Sequence, residues 1–207
     1  IGLSDLSGFT NKELAMICVG KHSDAEGMAA IIGLEDAVIA DACEKASAEA
    51  GAVQAVNFNC PGQTVIAGTT QGVEKAVEAL QAAGAKKAVI LPVSAPFHST
   101  LMKPAAEKLA AELDKITLRD AAFPVVANYN GKLETKAADI KANLVAQADH
   151  PVLWIDCVKT MVEFGADTFV EAGPGKTLCG FNKRIDRKLT SMNVENQIGR
   201  ASCRERV

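Results

Sequence analysis

The chain has 207 residues, long enough for one large domain or two small ones around a substantial core. Hydrophobic residues make up 48% but aromatics only 4%, so the core must be packed from Ala, Val, Ile and Leu, which suits α/β layers. A formal net charge of −3 gives no reason to expect nucleic acid as a partner.

No apolar run approaches a membrane span, and the start lacks the basic and apolar stretches of a signal peptide, so no membrane association is expected. Cys18, Cys43, Cys60, Cys157, Cys179 and Cys203 are scattered, without a CxxC pair or zinc spacing. They read as reduced packing residues of a cytoplasmic protein, with neither a metal site nor a disulfide framework.

In chain order, the first 26 residues carry no assignable pattern. From Gly27, "GMAAIIGL" reads as a strand, and "EDAVIADACEKASAEAG" has helical apolar spacing and ends on a natural glycine cap. "AVQAVNFN" and "QTVIAGTT" read as strands joined by the turn residues "CPG". "QGVEKAVEALQAAG" is an amphipathic helix with Val73, Val77 and Leu80 on one face, and "KKAVILPV" is a strand. This β-α-β-β-α-β order over residues 27–93 predicts a ferredoxin-like subdomain.

Beyond it, a helix over residues 102–116, a strand "FPVVANYNG" and a helix "AADIKANLVAQ" are expected. Pro151 then opens a helix, "VLWIDCVKTMVEFG", before a strand "DTFVEAGPG" and a last helix "KTLCGFNKRID". Residues 94–190 therefore predict a second α/β part whose sheet looks incomplete, because only about two strands are legible. Residues 191–207 read as a tail, and its end "IGRASCRERV" resembles a translated sequencing adapter, so 198–207 are set aside as an artefact.

His98, in "SAPFHSTLMKP", stands where a strand gives way to a helix, a placement suited to a general base. A surface histidine without chemistry is the equally weighted reading. No serine lies in G-x-S-x-G; Ser23 in "GKHSDAEG" comes nearest but lacks both glycines. "EAGPGKT" is not a Walker A loop, because Val170 stands where the first glycine is needed. It leaves a tight turn onto a helix N-terminus, which attracts anions weakly. Asn57 and Asn59 alternate with Phe58, placing both amides on one face, for turn capping or for a ligand. "FNKRIDRK" is a basic cluster at a helix end, either a solvated face or a seat for an acidic protein.

Together, "NFNCPGQTVIAG", "SAPFHSTLMKPAAEKL", "AQADHPVLW" and "EAGPGKTLCGFNKRI" resemble the malonyl-CoA:acyl-carrier-protein transacylases of bacterial fatty-acid synthesis over about residues 27–189. The resemblance implies a partial α/β-hydrolase-like acyltransferase core with an inserted ferredoxin-like subdomain. It implies ping-pong transfer of malonyl from coenzyme A to a serine and then to the phosphopantetheine thiol of acyl carrier protein. His98 would be the base, and the main-chain carbonyl of Gln147 would orient it, as an aspartate does in a Ser-His-Asp triad. Phe97 matches malonyl-selective members. Ser99, Asn57 and Asn59 would lie at the substrate, and Lys183 and Arg184 would receive the carrier protein. No cofactor is implied, and a monomer is expected. The family's serine elbow, early Gly-Gln-Gly-Ser motif and malonate-binding arginine have no match, so an inactive fragment is expected. The rivals are an acyltransferase piece of a polyketide synthase and a non-catalytic carrier-binding module.

Overall fold

The computed structural model describes residues 26–93 and 95–195. Its first part runs β1 (Glu26–Ile32), α1 (Asp36–Ala50), β2 (Val53–Cys60), β3 (Gln63–Thr69), α2 (Thr70–Ala82) and β4 (Lys87–Ile90). The strands form one antiparallel sheet in the order β2-β3-β1-β4. This is the element order read from residues 27–93.

The two-residue side-chain period of a strand divides the sheet into two apolar faces. Ala29 and Ile31 of β1, Val53 of β2 and Ile66 of β3 meet Ile39, Ala42, Cys43 and Ala46 of α1 and Val73, Ala76 and Leu80 of α2. The helical residues recur at three- and four-residue spacing, which puts them on one stripe. Met28, Val56, Val65 and Ala67 cluster separately. Fully burying each Ile or Leu contributes roughly 2 kcal/mol. The small side chains of Ala42, Ala46 and Ala76 let the helices lie close to the sheet.

Close approach also explains Gly68 and Gly72. A Cβ on Gly68 would stand 2.0 Å from the Ala52 carbonyl oxygen, and one on Gly72 would stand 2.2 Å from that of Gly51. Thr69 caps α2 by accepting the Gly72 N–H at 3.1 Å.

The second part begins with a 3-10 turn, Thr100–Met102, continued as α3 (Lys103–Leu113). Pro104, in the first turn of α3, fits because its missing N–H has no helical partner there. A short antiparallel pair, β5 (Val125–Val126) and β6 (Leu133–Glu134), precedes α4 (Ala137–Asp149) and α5 (Trp154–Glu163). β7 (Thr168–Ala172) and β8 (Thr190–Val194) then pair in parallel around α6 (Thr177–Ile185).

Three features depart from the sequence reading. The helix after Pro151 starts at Trp154, because Val152 is drawn into a parallel bridge with Asn57. Val152 donates its N–H to Val56 O at 2.8 Å and accepts that of Phe58 at 3.0 Å. β6 is an additional strand, beyond the elements that the sequence pattern predicts. β8 crosses the expected boundary at residue 190, so residues 191–194 belong to a sheet paired with β7 rather than to a tail.

The two parts meet along β2, against which α5 and α6 both pack. Among the described residues no helix is long and apolar enough to cross a membrane.

Candidate active site

The loop between β4 and the 3-10 turn presents His98. Ala95 and Ser99 are 1% exposed and Pro96 is fully buried, so the loop's frame faces inward. Ser99 closes it into a tight turn, donating its hydroxyl to Pro96 O at 2.6 Å and its N–H to the same oxygen at 3.2 Å. His98 at the apex has φ +63°, the only non-glycine with positive φ among the described residues. For an L-residue this conformation costs roughly 1–2 kcal/mol, and such strain collects at working sites.

The imidazole is half-buried, and its Nδ1 lies 2.8 Å from the main-chain oxygen of Gln147. That oxygen belongs to the last turn of α4, where carbonyls have no intrahelical partner. The neighbouring carbonyl of Ala146 is met in the same way by His150 Nδ1 at 2.9 Å. A carbonyl oxygen can only accept, so His98 Nδ1 is the donor, and in the neutral ring this tautomer places the lone pair on Nε2. The Gln147 side-chain Nε2, 3.4 Å from His98 Nδ1, is then a neighbouring donor and not a bonding partner. It donates instead to His150 O at 3.3 Å. Gln147 Oε1 is buried without a partner.

The other expected site residues fall out differently. Phe97 is 36% exposed beside the histidine, available to a ligand. Ser99 is buried, and its hydroxyl donates inside the turn, where it shapes the loop. Asn57 and Asn59 sit at irregular steps of β2, where the pairing with β3 shifts between Ala55 and Asn57 and again between Phe58 and Cys60. Those shifts interrupt the plain alternation on which the shared face rested. Neither amide makes a side-chain hydrogen bond to a described residue, so neither caps the turn. Ser23 lies outside the described residues.

In the basic cluster, Lys183 is exposed in the last turn of α6. Arg184 is drawn elsewhere, donating to Gln63 Oε1 at 2.6 Å and to Pro61 O at 2.8 Å across the β2–β3 turn. Its guanidinium therefore joins the two parts of the molecule, and part of its charge is committed within the chain.

Two residues that sequence reasoning missed carry polar roles. Glu171, on β7, accepts the backbone N–H of Leu178 at 3.1 Å and of Cys179 at 2.9 Å. The anion invited by the start of α6 is thus the chain's own carboxylate. Desolvation pushes that carboxyl up, but hydrogen bonds from the backbone N–H groups of Cys179 and Leu178, the Cys179 thiol and the Thr177 N–H outweigh it, holding Glu171 below the ordinary glutamate value. Gln54, on β2, accepts from Thr100. The Asp/Glu-before-helix pattern could have signalled the first; nothing local signals the second.

Burial pushes the Cys43 thiol up to about 12 and, with Asp156 nearby, that of Cys157 up to about 11, so both act as packing residues. Among the described residues no cluster of His, Cys, Asp or Glu could hold a metal ion. The arrangement offers an imidazole held by its Nδ1 against a main-chain oxygen, with Nε2 facing away from that bond.

Comparison with known proteins finds close relatives of one kind. A malonyl CoA-acyl carrier protein transacylase of Salmonella typhimurium is 54% identical over 165 residues, covering 80% of this chain and 53% of its own length. The Bacillus subtilis protein of the same name is 44% identical over 169 residues, covering 82% and 53%. The chain therefore spans about half the length of these relatives. The crystal structure of an acyl-carrier-protein S-malonyltransferase from Burkholderia pseudomallei superposes with TM-score 0.87 at 41% identity, over 93% of this chain and 62% of that one. A malonyl-transacylase solved in complex with a type II polyketide acyl-carrier protein gives 0.87 at 40%, over 94% and 62%. The acyl transferase domain family matches residues 17–202. By that match the chain belongs to the acyl transferase domain family.

Proposed function

We propose that the protein to which this chain corresponds transfers malonyl from malonyl-CoA to acyl carrier protein, and that this chain supplies the proton-transfer half of the site. The observation that carries the reading is the His98 Nδ1–Gln147 O bond, which leaves Nε2 poised as a base. A serine hydroxyl attacks the malonyl thioester carbon while its proton passes to Nε2, and the departing coenzyme A sulfur takes that proton. In the second half-reaction the pantetheine thiol gives its proton to Nε2 and attacks the ester, and the proton returns to the serine oxygen. The end of α4 carries partial negative charge, placed where the imidazolium forms. The serine itself has no motif match in this sequence.

Phe97 bounds the acyl pocket in this reading, with Asn57 and Asn59 near it. Lys183 receives the acidic carrier, and Arg184 contributes only the charge left over from its bonds to the β2–β3 turn. The antiparallel sheet with α1 and α2, over residues 27–93, is read as the ferredoxin-like insertion of a hydrolase-like core to which the second part belongs.

The test is a chimera in which residues 26–195 replace the aligned segment of the Salmonella relative, assayed for transfer of labelled malonyl to acyl carrier protein. We expect activity, and a loss of about a thousandfold on His98→Ala. Full activity of the His98→Ala chimera would end the proposal. Offering fatty-acid and polyketide carrier proteins in competition decides the pathway, a question raised by the relative solved with a polyketide carrier.

A further inference from the structure

Strand β2 holds the chain close to each partner of the imidazole–carbonyl pair. Its backbone, at Val56 and Phe58, bonds Val152, five residues beyond Gln147. Its Gln54 side chain reaches the histidine loop, where Oε1 accepts the Thr100 N–H at 3.2 Å and the Thr100 hydroxyl at 3.0 Å. Thr100 lies two residues past His98. The turn's own bonds, from Ser99 to Pro96 and from Met102 N to Ser99 O, are local and fix only its shape. Ala95, Met102 and Ala105 pack it apolarly toward α3, a contact that tolerates sliding. A left-handed histidine relaxes unless the chain on either side of it is held, so a directional bond to the sheet has a specific use here.

We propose that Gln54 is a positioning residue for His98. One carboxamide oxygen takes both donors of Thr100 and fixes the outgoing end of the strained turn. It thereby sets how Nδ1 meets the Gln147 carbonyl, which β2 also anchors through Val152. The inference rests on the acyl-transfer reading for its purpose, but its geometry stands apart from it. The required chemistry is narrow. The residue must offer an acceptor with two lone pairs at this reach, which Glu also does and Leu, of similar bulk, does not.

The experiment is imidazole 15N NMR on the 207-residue chain near neutral pH, with His22 and His150 identified by substitution. The unaltered chain should show His98 as a single Nδ1–H tautomer. Gln54→Leu should move both ring nitrogens toward the mixed tautomers of free imidazole and speed exchange of the Thr100 amide about fivefold, as expected for losing one net hydrogen bond. Gln54→Glu should restore both signals. Thr100→Val, an exposed change that keeps the N–H and removes the hydroxyl, should give an intermediate shift even if Gln54→Leu fails to fold. Unchanged His98 signals in Thr100→Val and Gln54→Leu, or failure of Gln54→Glu to restore them, overturns the proposal. In the chimera, Gln54→Leu should lower kcat with KM held. An inert unaltered chimera counts against acyl transfer alone, since the NMR comparison still decides the role of Gln54.

Discussion

Glu171 shows how one side chain can fill a role that a motif advertises for a ligand. "EAGPGKT" leads a strand into a helix N-terminus, and that end is positive because its first N–H groups lack helical partners. The carboxylate two residues before Gly173 turns back and accepts two of those N–H groups, so no external anion is needed. Because its folded pKa lies below the ordinary 4.5, the charged form is the stabilising one. That contribution is complete above the unfolded value and is lost as pH falls through the folded value. Urea midpoints of the unaltered chain and of Glu171→Gln should therefore differ at neutral pH and converge as the medium is acidified below the ordinary carboxylate range. A constant difference down to strongly acidic pH would show that the charge is not what matters. Gly68 makes the opposite point, since its contribution is having no side chain. Gly68→Ala should cost about 3 kcal/mol or more in urea unfolding, because the Cβ would meet the Ala52 carbonyl and the Val53 backbone, neither of which has a flexible end to swing away.

At the scale of elements, α6 carries two basic residues with different fates. Lys183 is exposed, while Arg184 is bonded to Pro61 and Gln63. In the chimera, Lys183→Glu should weaken carrier-protein binding with little change in the thermal midpoint. Arg184→Ala should lower the midpoint as well, through a loss of stability worth two exposed hydrogen bonds, roughly 1–2 kcal/mol. Binding left intact by Lys183→Glu would remove the docking role. Neighbours in the sequence read as one cluster because charge is visible in composition, whereas the turn that Arg184 reaches lies over a hundred residues earlier. The same distinction governs the elements. β1 to β4 were legible because alternating apolar residues and the repeated helical stripe on α1 and α2 are local signals. β8, "TSMNV", is strand only through its parallel partner β7, and β6 is two residues after a turn at Gly131, which has φ +67°. His98 and Gln147 were named from matching motifs, but their 2.8 Å contact spans 49 residues and was open to no local reading. The inward turn of the Ser99 hydroxyl onto Pro96 O is equally invisible in the sequence, where adjacency to a histidine is all that shows.

Across the whole molecule, the antiparallel sheet and the histidine-bearing part are joined by polar links converging on β2 and its turn: the Val152 bridge, Thr100–Gln54, and Arg184 to Pro61 and Gln63. Helices α5 and α6 also lie against β2 at the same place. A molecule built this way should unfold as one unit although its two parts have separate sheets. Trp154, the single tryptophan, reports on the second part, where its Nε1 donates to the buried Asn182 Oδ1 at 3.1 Å. Amides of β1 and β3 report on the first. In the unaltered chain, urea should shift Trp154 emission and expose those amides at the same concentration. Arg184→Ala combined with Gln54→Leu removes two of the three links and leaves each core untouched. The tryptophan transition should then move to lower urea while the sheet amides hold, because the sheet and its helices bury a continuous cluster of their own. Two separated transitions in the unaltered chain would mean that the links carry no cooperative coupling. The fixed distance between His98 and Gln147 would then have to be held within the second part alone.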